Sequence, residues 1–547
     1  MFEFSQWLRR VKPADVTEPM PRKMCSFTLA VERLEDRTVP AGNIAVTGAY
    51  LVNASNQPLT TVAVGQPVYV HCDFTASGLP SNASYNISYT VNGVTETSSN
   101  VTWGAGSSGT YYCYMYWGAW TAQAGTNSVS VTVDAASSVP ESSYSDNSTS
   151  FTFTTTLPSI QITSVSLVNA NDQPVSFVAA GQPVYVEANY TTSNLPAGAT
   201  YRLTYHVDGV TLTTGPLTLG TGASGTQYCY MYWGTFAPAA GDETATVTVN
   251  VNEPCSVNSG IYDFTAVNAN PTAAKYYSPL PMTDTLFGPN GPSYLDVHQG
   301  GLGDCWVIAS LAEVAARDPQ AIENMFTYDG IAVENGATVG LYTVRFFNGN
   351  NVPVSVTVDT ELPEGGNYYD VPVNGVMWVA LAEKAYAIAN GLGYVTVGVN
   401  NSNSYSALNG GQAGWTLQAI LGTASSFAGV NPTNIAAAWN AGDFIVLTAT
   451  TPNSSEIEGS HVYAVVSYNP SVSNPYLLMN PWGDVTATGY APGYGNAKFG
   501  LFSCDATFLA QNFNGYFTAG AANSAINHPV TLFIMPNKTL AVGNGAS

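Results

Sequence analysis

A seven-residue run, Tyr112-Cys113-Tyr114-Met115-Tyr116-Trp117-Gly118, recurs 116 residues later as Tyr228-Cys229-Tyr230-Met231-Tyr232-Trp233-Gly234. Gly65-Gln66-Pro67-Val68-Tyr69-Val70 recurs at the same offset as Gly181-Gln182-Pro183-Val184-Tyr185-Val186. A constant offset excludes a net insertion, so residues 43–157 and 158–270 are two copies of one duplicated unit. Each copy carries short β-branched and aromatic runs in alternation, such as 128–133 and 244–251, punctuated by Gly, Asn and Pro. That pattern predicts an antiparallel β-sandwich. The repeated aromatic run reads as a strand packing the sandwich rather than as a binding face, because aromatics at strand spacing usually pack. Cys72 and Cys113 are candidates for a bridge between the two sheets of the first copy. Ala188 replaces Cys72 in the second, so such a bridge is optional, and Cys229 with Cys255 stays open. Seven cysteines is an odd count, which leaves at least one thiol free or paired between chains.

The texture changes near residue 271. A Pro-rich stretch reads as a linker over 271–284, and beyond it Ala, Leu and Val recur at helical spacing. The clearest helices are expected at 305–317 and 376–389, with strands at 444–450, 462–468 and 476–479. Helices first and strands later predict an α+β domain over 285–540, ahead of a tail at 541–547. The chain is therefore expected to be multidomain: two all-β sandwiches, then an α+β core.

Charge and apolar run length argue against two function classes. Net charge is −22, and seven of the 14 Lys and Arg lie before residue 38. The body has no clustered cations to hold phosphates, which argues against nucleic acid as a partner. No stretch reaches the ~18 unbroken apolar residues of a membrane span. Scarce Lys with abundant Ser, Thr, Asn, Gly and Tyr reads as a secreted or cell-surface protein. Residues 1–42 read as a basic leader or disordered segment, in which the stretch 31–41 resembles a leader motif of planctomycete proteins and implies a bacterial source.

One window carries chemistry. The Gly-rich loop His298-Gln299-Gly300-Gly301-Leu302-Gly303-Asp304 runs straight into an apolar helix that begins at Cys305-Trp306. A helix N-terminus favours an anion, so the Cys305 thiol is expected to have a lowered pKa and to act as a nucleophile. The Gln299 amide and the Cys305 N–H are candidate donors to a developing oxyanion. Of five histidines, His71 and His206 fall in the repeats, and His528 near the end reads as structural. His298 is placed beside the cleft. His461 opens an apolar strand after Gly459-Ser460 and is the candidate base. The Asn480 carbonyl is the candidate orienter of its ring, with Trp482 shielding that bond from water.

Gln299-Gly300-x-Leu302-Gly303-Asp304-Cys305-Trp306, the run from Trp378 to Ala387, Gly459-Ser460-His461-Val462-Tyr463 and Asn480-Pro481-Trp482-Gly483 together resemble the calpain core, a papain-like cysteine protease, in order and approximate spacing. Tyr405-Ser406-Ala407-Leu408-Asn409-Gly410-Gly411 is similar to that family's loop beside the cleft. The resemblance implies an endopeptidase with two lobes, about 285–425 and 426–540. It implies Cys305, His461, Asn480 and Gln299 as catalytic residues, and His298, Gly303, Trp306, Gly411 and Trp482 as cleft residues. A protein or peptide would be the substrate. The resemblance also implies calcium, with Asp296 at one ligand position. Val376 and Thr486 stand where acids are expected, so calcium is not supported, no metal ligand set is assigned, and the chemistry requires no cofactor. The segment 138–153 resembles the closing hairpin of Ig-like adhesion modules of the CARDB group, which implies a spacer role or a cell-surface ligand. Two other readings are a surface binding protein with an inert protease-like domain and a transglutaminase-like acyl transferase.

Overall fold

Alternating burial along the inner strands of the repeats sets their inner face. In Thr126–Val133, Asn127, Val129, Val131 and Val133 are buried while Thr126, Ser128 and Ser130 are exposed. The computed structural model describes residues 42–522 apart from 103–107, 116–117, 196–197, 219–224, 233, 253, 365–367, 396–400, 455–456 and 484–499. The leader motif, Tyr116, Trp117, Trp233, Thr486, His528 and the tail lie outside the described residues.

The chain divides into two units, one essentially of residues up to Thr155 and the other from Thr156 onward. In the first unit, Asn43–Val52, Pro67–Ser77 and Gly109–Tyr114 form one antiparallel sheet, with Trp120–Thr121 against Pro67–Ser77. Ser148–Thr154, Thr126–Val133, Ile87–Val91 and Val94–Thr97 form a second. Val70, Phe74, Tyr89 and Val131 belong to one apolar core shared by both sheets.

The second unit opens with the same plan. Ser159–Val168 pairs with Tyr185–Ser193, and the register shifts between Ile162 and Ser164, as it does between Val46 and Gly48 in the first unit. The Tyr205 hydroxyl donates to the Cys229 carbonyl at 2.7 Å, and Tyr89 does the same to Cys113 at 2.7 Å. The duplication thus reaches the level of one bulge and one hydrogen bond. The cysteine expectation needs correction. Cys72 and Cys113 face each other on neighbouring strands of one sheet rather than across two, and Cys229 faces Ala188. None of the six described cysteines is in a disulfide.

The stretch expected as a linker, 271–284, is built into the following core. Tyr277–Pro279 pairs with Glu361–Pro363, and Ala273, Tyr277 and Leu280 pack on buried apolar residues. Just before it, the Asn268 N–H donates to the Thr357 carbonyl at 2.9 Å, and the Thr357 N–H returns a bond to Asn268 Oδ1 at 2.8 Å.

Helix Cys305–Arg317 is buried from Cys305 to Ala315, so it is a core helix rather than a surface one. Helices Trp378–Gly391 and Ala413–Leu421 share its core. The sequence reading missed a three-stranded antiparallel sheet, Phe326–Glu334, Ala337–Phe347 and Pro353–Asp359, which breaks the order of helices before strands. The last sheet has six antiparallel strands in the order Ser425–Gly429, Gly515–Ala519, Phe444–Ala449, His461–Tyr468, Tyr476–Met479, Leu501–Cys504. One face, with Val446, Val462, Ala464 and Met479, packs into the core that holds helix Cys305–Arg317. The other buries Ile445, Leu447, Tyr463 and Leu478 with Phe502 and Leu509.

Candidate active site

Cys305 is the first residue of its helix, so its own backbone N–H has no intrahelical partner. The loop before it is pinned on two sides. The Gly303 N–H donates to Asn409 Oδ1 at 2.8 Å, Gly410 N–H donates back to the Gly303 carbonyl at 2.8 Å, and Trp306 Nε1 donates to the Leu408 carbonyl at 2.9 Å. A Cβ at Gly411 would collide with the Trp306 ring, and one at Gly300 with the backbone of Tyr368 and Tyr369. These glycines are required for close approach. On the other side the Gln299 N–H donates to the Pro481 carbonyl at 2.9 Å, and Gly483, at φ 71, leaves no room for a side chain against Val297.

His461 begins its strand after Ser460, which holds a left-handed φ of 54. Its Nε2 lies 2.9 Å from Asn480 Oδ1, inside a site where His461 is 6% exposed and Asn480 fully buried. Asn480 Oδ1 also accepts from the Trp482 N–H at 3.0 Å, and the Trp482 ring lies tilted at 44° to His461, 5.0 Å between centroids. Asn480 and Trp482 thus both contact the His461 ring.

Cys305 and His461 line one cleft of about 830 Å³, together with His298, Gln299, Gly303, Trp306, Gly411 and Trp482. The structure thus brings every expected cleft residue to the lining of this cleft, with Asn480 in contact with His461. Glu458 also lines the cleft and raises the His461 pKa, against the larger effect of burial, which lowers it. The sequence reading passed over Glu458, although it stands three residues before the histidine.

Two expectations are corrected. Burial, with Asp304 next to it, pushes the Cys305 thiol up to about 12, outweighing the backbone N–H groups of Val462, Trp306 and Cys305 that favour the thiolate. The helix terminus alone does not decide the sign. Gln299 does not present its amide to the cleft: its Nε2 donates to the Leu302 carbonyl at 2.7 Å and to Asp304 Oδ1 at 3.1 Å, using both hydrogens.

The residues at the expected calcium position do not fit a hard cation. Asp296 Oδ2 already accepts from Trp378 Nε1 at 2.7 Å and from the Ser293 N–H at 2.8 Å, and Val376 offers no side-chain oxygen. Elsewhere, carboxylate oxygens of Glu334, Asp359 and Glu361 lie within 4.8 Å of one another. Lys384, fully buried, supplies a cation there at 2.7 Å from Asp359 Oδ1.

Comparison with known proteins matches residues 268–491 to the model of the calpain family of cysteine proteases. Calpain-8 of Mus musculus is 28% identical over 221 residues, 36% of this chain and 29% of that protein. The calpain-1 catalytic subunit of Sus scrofa is 27% identical over 216 residues, 37% and 29% of the two chains. The match thus spans under a third of the length of these curated relatives. Among solved structures, red sea bream transglutaminase aligns at 12% identity over 41% of this chain and 31% of that one, with a TM-score of 0.18, too low to bear on the fold. The matched stretch contains the cysteine loop, the histidine strand and the asparagine turn that meet at the cleft, so residues 268–491 are a calpain-type cysteine protease domain.

Proposed function

We propose that this chain is an endopeptidase that cleaves peptide bonds through Cys305, His461 and Asn480. The observation that carries the reading is the His461 Nε2 to Asn480 Oδ1 contact of 2.9 Å beside the Trp482 ring, at a cleft that Cys305 also lines. That contact occupies one ring nitrogen and leaves Nδ1 for the thiol. Proton transfer from Cys305 Sγ to His461 makes the thiolate, which attacks the peptide carbonyl carbon. The oxyanion is held by the Cys305 N–H and by Gln299 once its amide turns from Asp304. Imidazolium His461 then protonates the leaving amine as the C–N bond breaks. Water, deprotonated by His461, attacks the thioester; the Sγ–C bond then breaks, the electron pair returns to Cys305 Sγ, and the new carboxyl product leaves.

Two lobes, with the cysteine on one and the histidine on the other, account for a substrate lying between them. The N-terminal repeats serve as Ig-like spacers or adhesion modules of a secreted or surface bacterial protein. Activity is independent of calcium, because Asp296 is already committed to Trp378 and Ser293. Cys305→Ala abolishes cleavage of an unfolded protein such as casein while leaving the fold intact. Retained cleavage would point to another nucleophile. Complete loss of activity on adding a chelator would overturn the calcium reading.

A second reading is a surface protein whose protease-like domain is inert. The Cys305 thiol, pushed up to about 12, and the Gln299 amide, turned from the cleft, favour it. It predicts no covalent adduct at Cys305 with a thiol-directed epoxide.

A further inference from the structure

Behind the cysteine loop, three carboxylic acids are packed out of reach of solvent. Asp304 and Glu383 are each 1% exposed and Asp370 is 5%. Lys384, the nearest cation along the chain, turns away to Asp359. Asp370 is accounted for on one oxygen, since its Oδ1 accepts from the His298 N–H at 3.1 Å. Its own N–H donates to Glu383 Oε2 at 2.9 Å. Asp304 Oδ1 accepts from Gln299 Nε2. That leaves Asp304 Oδ2 and Glu383 Oε1, and with them Asp370 Oδ2, with no donor among the described residues. Two buried carboxylate oxygens without donors cost several kcal/mol of desolvation if both groups are charged.

Yet the Asp304 and Glu383 side chains lie close enough to act on each other as a hydrogen-bonding pair once one of them carries a proton. Two carboxylates cannot bond, because both only accept. One proton between them turns each orphan into the other's partner and removes one buried charge. We propose that Asp304 and Glu383 hold a single shared proton at neutral pH, and that this acid pair is a positioning device that governs how strongly Asp304 draws on the Gln299 amide and opposes the Cys305 thiolate.

The proposal rests on the peptidase reading, whose oxyanion donor and nucleophile are the two groups that Asp304 touches. Burial pushes both carboxyls above the usual carboxylate range; Asp304 raises Glu383 further, while the bond from Glu383 lowers Asp304, which places the proton on Glu383 and the acceptor on Asp304. The groups facing the pair favour a retained proton. Asp370 raises Glu383, and Asp296 acts on Asp370. Tyr277, Tyr369 and Tyr405, all with raised pKa, pack around Glu383 and bring no positive charge. A second cavity of about 180 Å³ is lined by Asp370, Glu383 and Tyr405, none of which lines the catalytic cleft.

The sign follows. When pH rises until the pair loses its proton, Asp304 carries a full charge beside Cys305 and competes fully for the Gln299 N–H groups. Turnover falls on the alkaline side. Glu383→Gln supplies a permanent N–H donor to Asp304 and fixes the charge of the neutral-pH state, so its alkaline limb moves to higher pH or vanishes. Glu383→Ala removes the donor at every pH and lowers kcat roughly 10- to 100-fold, which Glu383→Gln largely restores at neutral pH. A purely structural role would let the Gln variant keep the wild-type alkaline limb. Infrared spectra of the full chain report the pair without any substrate: a protonated-carboxyl band is expected at neutral pH, lost in Glu383→Gln and lost from the wild type on alkalinisation. No change in that band in Glu383→Gln, or an alkaline limb unchanged by the substitution, overturns the proposal. A chain that shows the band and its loss but cleaves no peptide sinks the peptidase reading and leaves the proton pair standing.

Discussion

Cys305 is raised by burial and by Asp304, and His461 is lowered by burial, so the resting pair is thiol and neutral imidazole. Glu458 is the one cleft carboxylate among the described residues that raises His461. Glu458→Gln therefore lowers the His461 pKa and shifts the acid limb of the pH–kcat/KM profile to lower pH. A profile unmoved by that substitution would remove Glu458 from the site. Asn480→Ala frees the far ring nitrogen from its acceptor and is expected to lower kcat about 10²-fold while Cys305 still labels with an epoxide. Loss of turnover with unaltered KM would match an orienting role.

At the scale of elements, Gly411 and Lys384 offer the sharpest tests. Gly411→Ala drives a methyl into the Trp306 ring, at the junction of the two loops that frame Cys305. It is expected to cost about 1–3 kcal/mol in denaturant unfolding and to depress turnover as well. Lys384 donates to the Asp359 carboxylate and to the Asp359 and Glu361 carbonyls at 2.7–3.0 Å, all inside the core. Lys384→Met strands Asp359 and is expected to cost about 3–5 kcal/mol in the same assay. The sequence made the helix at Cys305 and the strand at His461 legible, because a glycine loop running into an apolar helix and a short apolar strand after a Gly-Ser turn are local patterns. It hid the sheet of residues 326–359, whose strands lie between two strong helical signals and depend on pairing with one another. It also hid the Gln299 amide's partners, because Asp304 five residues away captures it only in the folded loop. The linker expectation at 271–284 failed for a related reason: Pro and turn residues mark irregular backbone, not exposure, and Tyr277 and Leu280 supply the apolar surface that docks it.

For the whole molecule, buried acids shape stability. Burial raises Asp329 to about 6 and Glu334 to about 7, each with a neighbouring carboxylate adding to the shift. Groups raised above their unfolded values bind more protons in the native state, so they disfavour folding progressively as pH climbs from the usual carboxylate range through those values. His461, lowered on folding, acts in the opposite direction as pH falls below its unfolded value. Thermal midpoints should therefore rise as the buffer goes from about pH 8 to about pH 5.5; a midpoint flat over that range would mean that these carboxyls are solvated. The account's central claim is that one sulfur, one imidazole and one carboxamide act together in a single cleft. The most direct measurement is peptide mapping of the folded chain after exposure to a thiol-directed epoxide. The account predicts an adduct at Cys305 in preference to the other thiols, with labelling suppressed by His461→Ala. An unmodified Cys305, or labelling indifferent to residue 461, would contradict it.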